Sequence, residues 1–200
     1  MEVEETFSQL PLQIDPQTKA ISFPGTTSSS TEAEIHQLNL LNRAIVGLNA
    51  PTPPPPVPVD PKRSGQITKM REAGNTAFRK GSYQEAIRLY SLGLEMAIQR
   101  PAWEPAGLVR EEVSGLYANR AQAHMAIQAW PEGSIDAESS LECKKVQNPK
   151  SWWRKGRCLI EMGRPEEAAD WVKQGLDFEG NDQELQSLKK EIDAAIGKRA

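Results

Sequence analysis

KGSYQEAIRLY (Lys80–Tyr90) sets an aromatic residue, then a small residue three positions later, then an amphipathic run. The layout returns in AWPEGSIDAES (Ala129–Ser139) and, with proline in the aromatic's place, in MGRPEEAADWV (Met162–Val172). Ala86, Gly133 and Ala168 hold the same place in the three stretches. Twelve positions before each stands another small residue: Gly74, Ala121 and Gly156. Small side chains at both places let two antiparallel helices approach closely. The interval is 47 residues from Gly74 to Ala121 and 35 from Ala121 to Gly156. Recurrence on this scale predicts stacked helical hairpins, none of which buries its apolar face alone.

Working outward, glycines and prolines after residue 63 fall between apolar-periodic segments, so everything there reads as helix. A closing helix follows the last repeat. Asn181 reads as its N-cap with Glu184 three later, and Leu185, Leu188, Ile192 and Ile196 form one stripe. Such a helix covers the exposed face of a terminal repeat. Upstream, PTPPPPVPVDPKR (Pro51–Arg63) reads as an extended spacer, because proline lacks a donor and fixes its backbone angle. Before it, FSQLPLQID and KAISF alternate around the turn-type DPQT, which suggests a hairpin with Pro11 at an edge. Thr31 and Glu34 make a capping-box pattern ahead of the apolar stripe Ile35, Leu38, Leu41, Ile45 and Leu48. One hairpin and one helix struggle to bury a core. Residues 1–50 are therefore expected to pack on the next domain or on another chain. The division is 1–50 as a partner-docking segment, 51–63 as linker and 64–200 as the repeat domain. The fold class is all-α, preceded by a small mixed α/β segment.

Charge and composition exclude several functions. With 24 basic and 27 acidic residues, no bulk electrostatic case exists for nucleic acid or an acidic membrane. Any anion site must be local. Cys143 and Cys158 are isolated, and His36 and His124 lack the neighbours of a zinc site. No Gly-rich phosphate loop or nucleophile constellation appears. The reading is a non-catalytic chain with no cofactor and no metal. The acidic opening MEVEETFSQL is the wrong start for a signal peptide, and no apolar run reaches the length of a membrane span. Any membrane location is thus expected to come through a partner.

One stretch concentrates cations: NPKSWWRKGRC (Asn148–Cys158). Lys150, Arg154 and Arg157 share a helix face, and like charges at that spacing cost roughly 0.2–0.5 kcal/mol per pair. Something should offset that cost. The repeat pattern resembles the tetratricopeptide repeat over about residues 66–180, with AIQRPAWEPAGLV as extra residues read as an extended helix end plus loop. In members of that family with a carboxylate clamp, five groove positions bind the C-terminal carboxylate and last aspartate of a chaperone tail ending EEVD. In the register set by Gly74, Ala121 and Gly156, those positions are Arg71, Asn75, Asn119, Lys150 and Arg154. Arg71 departs from the family's lysine but keeps its charge; its planar fork differs in reach. The resemblance thus explains the crowding, since donors must surround a carboxylate and cationic donors bind it more strongly. Phe78, Gln122, Met125, Trp153 and Arg157 are possible groove contacts. Trp152 reads as core, and Trp103, Trp130 and Trp171 as packing residues. Five charge-assisted bonds at roughly 1.5–3 kcal/mol each, less about 4–15 for ordering and lost freedom, suggest micromolar binding.

PLQID, PPPPVPVDPKRSGQITK, AIQRPAWEPAGLVREEV, LYANRAQAHMA and KSWWRKGRCLIEMGR are more particular. They are similar to the fungal tetratricopeptide subunit of the post-translational Sec translocation complex. That resemblance implies a peripheral protein on the cytosolic face of the endoplasmic reticulum. It implies a membrane-anchored Sec partner, reached through residues 1–50, and a groove that receives the tails of seventy-kilodalton heat-shock chaperones. The alternative is a structural scaffold subunit that binds no tail.

Overall fold

The computed structural model describes residues 11–47, 59, 61–101 and 103–197. The chain divides into two units, Met1–Val57 and Pro58–Ala200.

In the first unit, β1 (Gln13–Ile14) pairs antiparallel with β2 (Ile21–Ser22), with Ile14 opposite Ile21. Asp15 closes the turn: its Oδ1 accepts from the backbone N–H of Gln17 and Thr18 at 2.9 and 2.6 Å. These bonds, the Thr18 backbone foremost, hold its carboxyl below the usual carboxylate range. Helix α1 (Ser29–Val46) follows. Asn39 fastens it to β2, accepting from Ile21 N–H and donating to Ile21 C=O, both at 2.7 Å. The helix starts earlier than the Thr31–Glu34 pattern predicts: Ser28 is the N-cap, and Thr31 N–H donates to its hydroxyl. FPGTTSSS offers several hydroxyls in a row, and that of Ser28, on extended backbone just before the first turn, takes the role. No described residue of this unit is buried. Ile14 is 64% and Val46 53% exposed. Leu48 of the expected stripe lies outside the described residues, as do residues 51–58 and 60 of the spacer.

Among the described residues of the second unit, seven helices follow one another: α2 (Pro61–Arg79), α3 (Tyr83–Ile98), α4 (Ala106–Ala126), α5 (Trp130–Cys143), α6 (Pro149–Glu161), α7 (Pro165–Glu179) and α8 (Gln183–Gly197). The helix α2 includes Pro61–Arg63, which the proline-rich stretch had suggested to be linker. Proline is tolerated in a first turn, where its missing N–H has no intrahelical partner to lose. Each helix packs on the next, making the hairpins α2/α3, α4/α5 and α6/α7, and α8 covers α6 and α7. Asp182, not Asn181, caps α8: its Oδ1 accepts from Leu185 N–H at 2.9 Å.

The small residues do what their register requires. A Cβ on Gly74 would stand 2.5 Å from Tyr90 Cε1, and one on Gly156 2.7 Å from Val172 Cγ2. Ala86, Ala121 and Ala168 are fully buried. Two cores result. Ile67, Tyr90, Leu94, Val113 and Leu116 fill the first; Trp152, Leu159, Val172, Leu185, Leu188 and Ile192 fill the second. Trp152 is the expected core tryptophan, 1% exposed, with its ring 4.7 Å from Trp171 and stacked on Phe178 at 5.7 Å.

The extra residues of the first interval split in two. Helix α3 ends at Ile98, and the remainder forms the 99–105 connection and lengthens the start of α4. Arg100 fastens this connection. It grips both Glu112 carboxylate oxygens at 2.9 and 2.7 Å, and donates to Ser64 Oγ at 2.7 Å. Glu104 completes the set at 2.5 Å.

Candidate functional site

A hollow of about 750 Å³ opens on α2, α4, α6 and α8. Its walls include Lys150, Trp153, Arg154 and Arg157 of α6, Gln122 and Met125 of α4, and Phe78 of α2. Two of the five clamp candidates, Lys150 and Arg154, therefore line it. So do all five side chains assigned as possible groove contacts: Phe78, Gln122, Met125, Trp153 and Arg157.

Asn75 and Asn119 stand one turn earlier on α2 and α4. Asn119 Nδ2 donates to Asn75 Oδ1 at 3.1 Å, and the Tyr90 hydroxyl donates to the same oxygen at 2.7 Å. With its carbonyl oxygen engaged twice, Asn75 turns its amide NH₂ away as a donor for something else. Tyr90 also lies within electrostatic reach of Arg154, so the asparagine pair and the arginine belong to one neighbourhood. Burial pushes the Tyr90 hydroxyl above its usual range against the pull of Arg154 and Arg79. Arg71, one turn before Asn75, lies elsewhere. It lines a smaller hollow of about 220 Å³ with Ser114, Gly115, Ala118, Gln147 and Asn148.

Arg154 is the unusual member. It is 7% exposed, and its side chain has one hydrogen bond, Nη2 to Gln122 Oε1 at 2.9 Å. Among the described residues no carboxylate forms an ion pair with it. The contrast with the other sheltered arginines is informative. Arg100 holds Glu112 with two nitrogens. Arg120 holds both oxygens of Asp136 at 2.7 Å. A guanidinium carries five donors, and Arg154 spends one. Burial holds its pKa below the usual arginine range, opposed by Tyr90 and Glu184. No nitrogen of Arg154 is both sealed from solvent and without a partner, so the unspent donors keep access to solvent where Arg154 lines the hollow.

Other residues entered the site without being anticipated. Trp130, expected to be a packing residue, lines the hollow. Trp171 does pack, donating its indole N–H to Trp152 C=O at 3.2 Å. From α8 come Glu184, Ser187, Leu188 and Glu191. Glu184, Leu188 and Glu191 recur at the spacing of one helix face, a signal that the apolar stripe alone concealed. Arg157 is not free: Nη1 pairs with Glu191 at 2.5 Å and Nε with Glu161 at 3.5 Å.

The described residues include no cluster of His, Cys, Asp or Glu able to hold a metal ion, and no helix long and apolar enough to cross a membrane. The cysteines are free. Burial pushes the Cys158 thiol up to about 12, which leaves it inert.

No family model matches the chain. It is 40% identical over 126 residues to the endoplasmic-reticulum protein translocation subcomplex subunit sec67 of Schizosaccharomyces pombe, covering 63% of this chain and 65% of that one. The chain thus spans just under two thirds of that relative's length. It is 27% identical over 162 residues to the translocation protein SEC72 of Saccharomyces cerevisiae, covering 80% and 81%. Among solved structures, a chain of the S. cerevisiae Sec complex superposes with a TM-score of 0.71 at 25% identity, covering 94% of this chain and 98% of that one. The first tetratricopeptide domain of Spaghetti (RPAP3), solved with an HSP90 peptide SRMEEVD, shares the fold with a TM-score of 0.56 at 23% identity, over 70% of this chain and 98% of that one. The two translocation subunits are not enzymes, and the expectation of a non-catalytic chain rests on that kinship. The chain has the tetratricopeptide-repeat fold and is similar in sequence and fold to the fungal translocation subunits of the sec67 and SEC72 kind.

Proposed function

We propose that this chain is a non-catalytic adaptor whose inner groove binds the acidic C-terminal tail of a cytosolic seventy-kilodalton heat-shock chaperone. The observation that carries the reading is Arg154, a nearly buried guanidinium with one hydrogen bond and four donors unspent, lining an open hollow. Lys150 stands one turn before it on the same wall, and the Asn75–Asn119 pair, tied to the Tyr90 hydroxyl that lies within electrostatic reach of Arg154, would add an amide donor. Donors of this kind, two of them cationic, suit the paired carboxylates of a terminal aspartate. Arg71 would complete the clamp by reaching from the neighbouring hollow. A solved domain of the same fold holds a peptide ending EEVD, which supports the choice of ligand.

The kinship with translocation subunits supports the rest. The adaptor would sit peripherally on the cytosolic face of the endoplasmic reticulum and bring chaperone-held precursors to the translocon. Residues 1–50 would dock on a membrane-anchored Sec subunit, and residues 64–200 would act as the tail-binding domain. The first unit, with no buried residue among those described, has the apolar surface such docking needs.

The test is titration of a labelled peptide ending EEVD into the full chain. Micromolar affinity is expected, falling as salt rises. The double variant Lys150→Ala with Arg154→Ala should abolish binding and leave assembly with the Sec partner intact. If amidating the peptide's C-terminus leaves affinity unchanged, the clamp is wrong. If the unaltered chain binds no tail, it is a scaffold.

A further inference from the structure

Rows of side chains run along the inner helices. Asn75 on α2 is followed by Phe78, Asn119 on α4 by Gln122 and Met125, and Arg154 on α6 by Arg157. The second member of each row lies about one helical turn beyond the first. A peptide whose end sits among Asn75, Asn119, Lys150 and Arg154 must therefore lead its upstream residues past Phe78, Met125 and Arg157. The hollow has a fourth wall, α8, which brings Glu184 and Glu191.

The charges there are already arranged. Arg157, the cation that an upstream acidic residue would seek, is paired with Glu191 at 2.5 Å and flanked by Glu161 at 3.5 Å. Glu184 faces the same space and lies within electrostatic reach of Arg154. The hollow thus offers its ligand two cations, Lys150 and Arg154, that form no ion pair among the described residues. One turn beyond Arg154 stands Arg157, held by Glu191, while Phe78, Met125, Trp130 and Trp153 give the hollow its apolar walls.

We infer that α8 is a specificity wall: Glu191, by occupying Arg157, makes the groove accept acid at the tail's end and reject further acid upstream of it. The inference rests on the tail-binding reading and deepens it by naming the ligand class, a peptide with a compact acidic terminus preceded by apolar or uncharged residues. An upstream glutamate gains nothing from Arg157 unless it displaces Glu191, and it meets Glu184 and Glu191 as like charges. The Arg157–Glu191 pair is partly exposed, 29% and 54% at the side chains. Pairs of that kind are weak enough to be displaced at a cost of roughly threefold to fivefold in affinity. The wall therefore grades ligands rather than closing the groove.

The experiment compares two labelled peptides ending IEEVD, one with three glutamates immediately upstream and one with three glutamines. Binding to the full chain is measured by fluorescence anisotropy at low salt. The unaltered protein is expected to bind the glutamine peptide roughly threefold more tightly. Glu191→Gln, which keeps the shape of the side chain, should tighten the glutamate peptide roughly threefold to fivefold and leave the glutamine peptide within about twofold. Adding Arg157→Ala should remove that gain. If the unaltered protein already prefers the glutamate peptide, or Glu191→Gln moves both peptides equally, the specificity wall is overturned while tail binding stands. If neither peptide binds, the tail-binding reading fails and the wall fails with it.

Discussion

Arg154 joins two demands that pull apart. A guanidinium at 7% exposure has lost most of its hydration, and in the free chain one glutamine oxygen replaces it. Removing the charge should therefore help folding and ruin binding. Arg154→Met keeps the length of the stem and the packing over α4. It is expected to raise stability by about 1–2 kcal/mol in urea denaturation and to weaken tail binding at least tenfold in the same titrations. Loss of stability on this change would mean that Arg154 has a structural partner after all. His124 presents a different cost. Its Nδ1 is buried with no hydrogen-bond partner, and its Nε2 lies 3.7 Å from Asp136. Burial lowers its pKa below the ordinary 6.5; Asp136 opposes that shift, and Arg120 adds to it. The folded chain then holds fewer protons than the unfolded chain just below pH 6.5. Stability should be full above that pH and fall as pH drops from 6.5 toward the lower folded value. Thermal melts between pH 7.5 and 5 should show the decline, and His124→Asn should flatten it.

At the scale of elements, the 99–105 connection shows how an insertion is kept in order. Arg100 has a side chain 1% exposed, between carboxylates that are themselves 13% and 14% exposed. Removing one partner from such a set leaves like charges uncompensated at low exposure. Arg100→Ala is expected to cost about 3–5 kcal/mol, read as a lower urea midpoint, while Glu85→Gln, which breaks an exposed pair with Arg88, should change stability by less than about 1 kcal/mol. Nothing in the sequence marked Arg100 for this work. Glu104 is four positions away, but Ser64 and Glu112 lie 36 and 12 positions away, and no periodicity links the three. The hairpins were legible because backbone crowding at Gly74 and Gly156 leaves a local signature that repeats. Their helices, turns and core tryptophan followed from it. The register also carried the side chains of the hollow, since residues three and four apart on one helix share a face. What it did not carry was long-range chemistry. It gave no means of seeing that Asn75 and Asn119 bond to each other, that Arg71 lines a separate hollow, or that Glu191 reaches across from α8. The caps of α1 and α8 were missed by a few residues because Ser28, Thr31, Asn181 and Asp182 are chemically equivalent candidates.

For the whole molecule the question is what the first unit contributes. Both apolar cores consist of residues from Ile67 to Ile196, and the bonds that fasten the start of α2 begin at Arg63, which donates to Met96 C=O at 3.1 Å. A chain lacking residues 1–50 keeps every one of these. Its melting temperature is expected to stay within about 2 °C of the full chain's, because no cavity or unpaired group is created in either core. Its affinity for an EEVD peptide should stay within about twofold, because Lys150, Arg154 and the asparagine pair are retained. Docking is where the two chains should part. Apolar side chains such as Ile14 and Val46, more than half exposed, have no core of their own to enter, so a partner's surface is what they would gain by burial. Membrane fractionation of cells carrying each form should find the full chain with the endoplasmic reticulum and the shortened chain in the soluble fraction. Were the shortened chain to remain on the membrane, the docking surface would have to be sought on the repeats themselves, on the faces of α3, α5 or α7 that turn away from the groove.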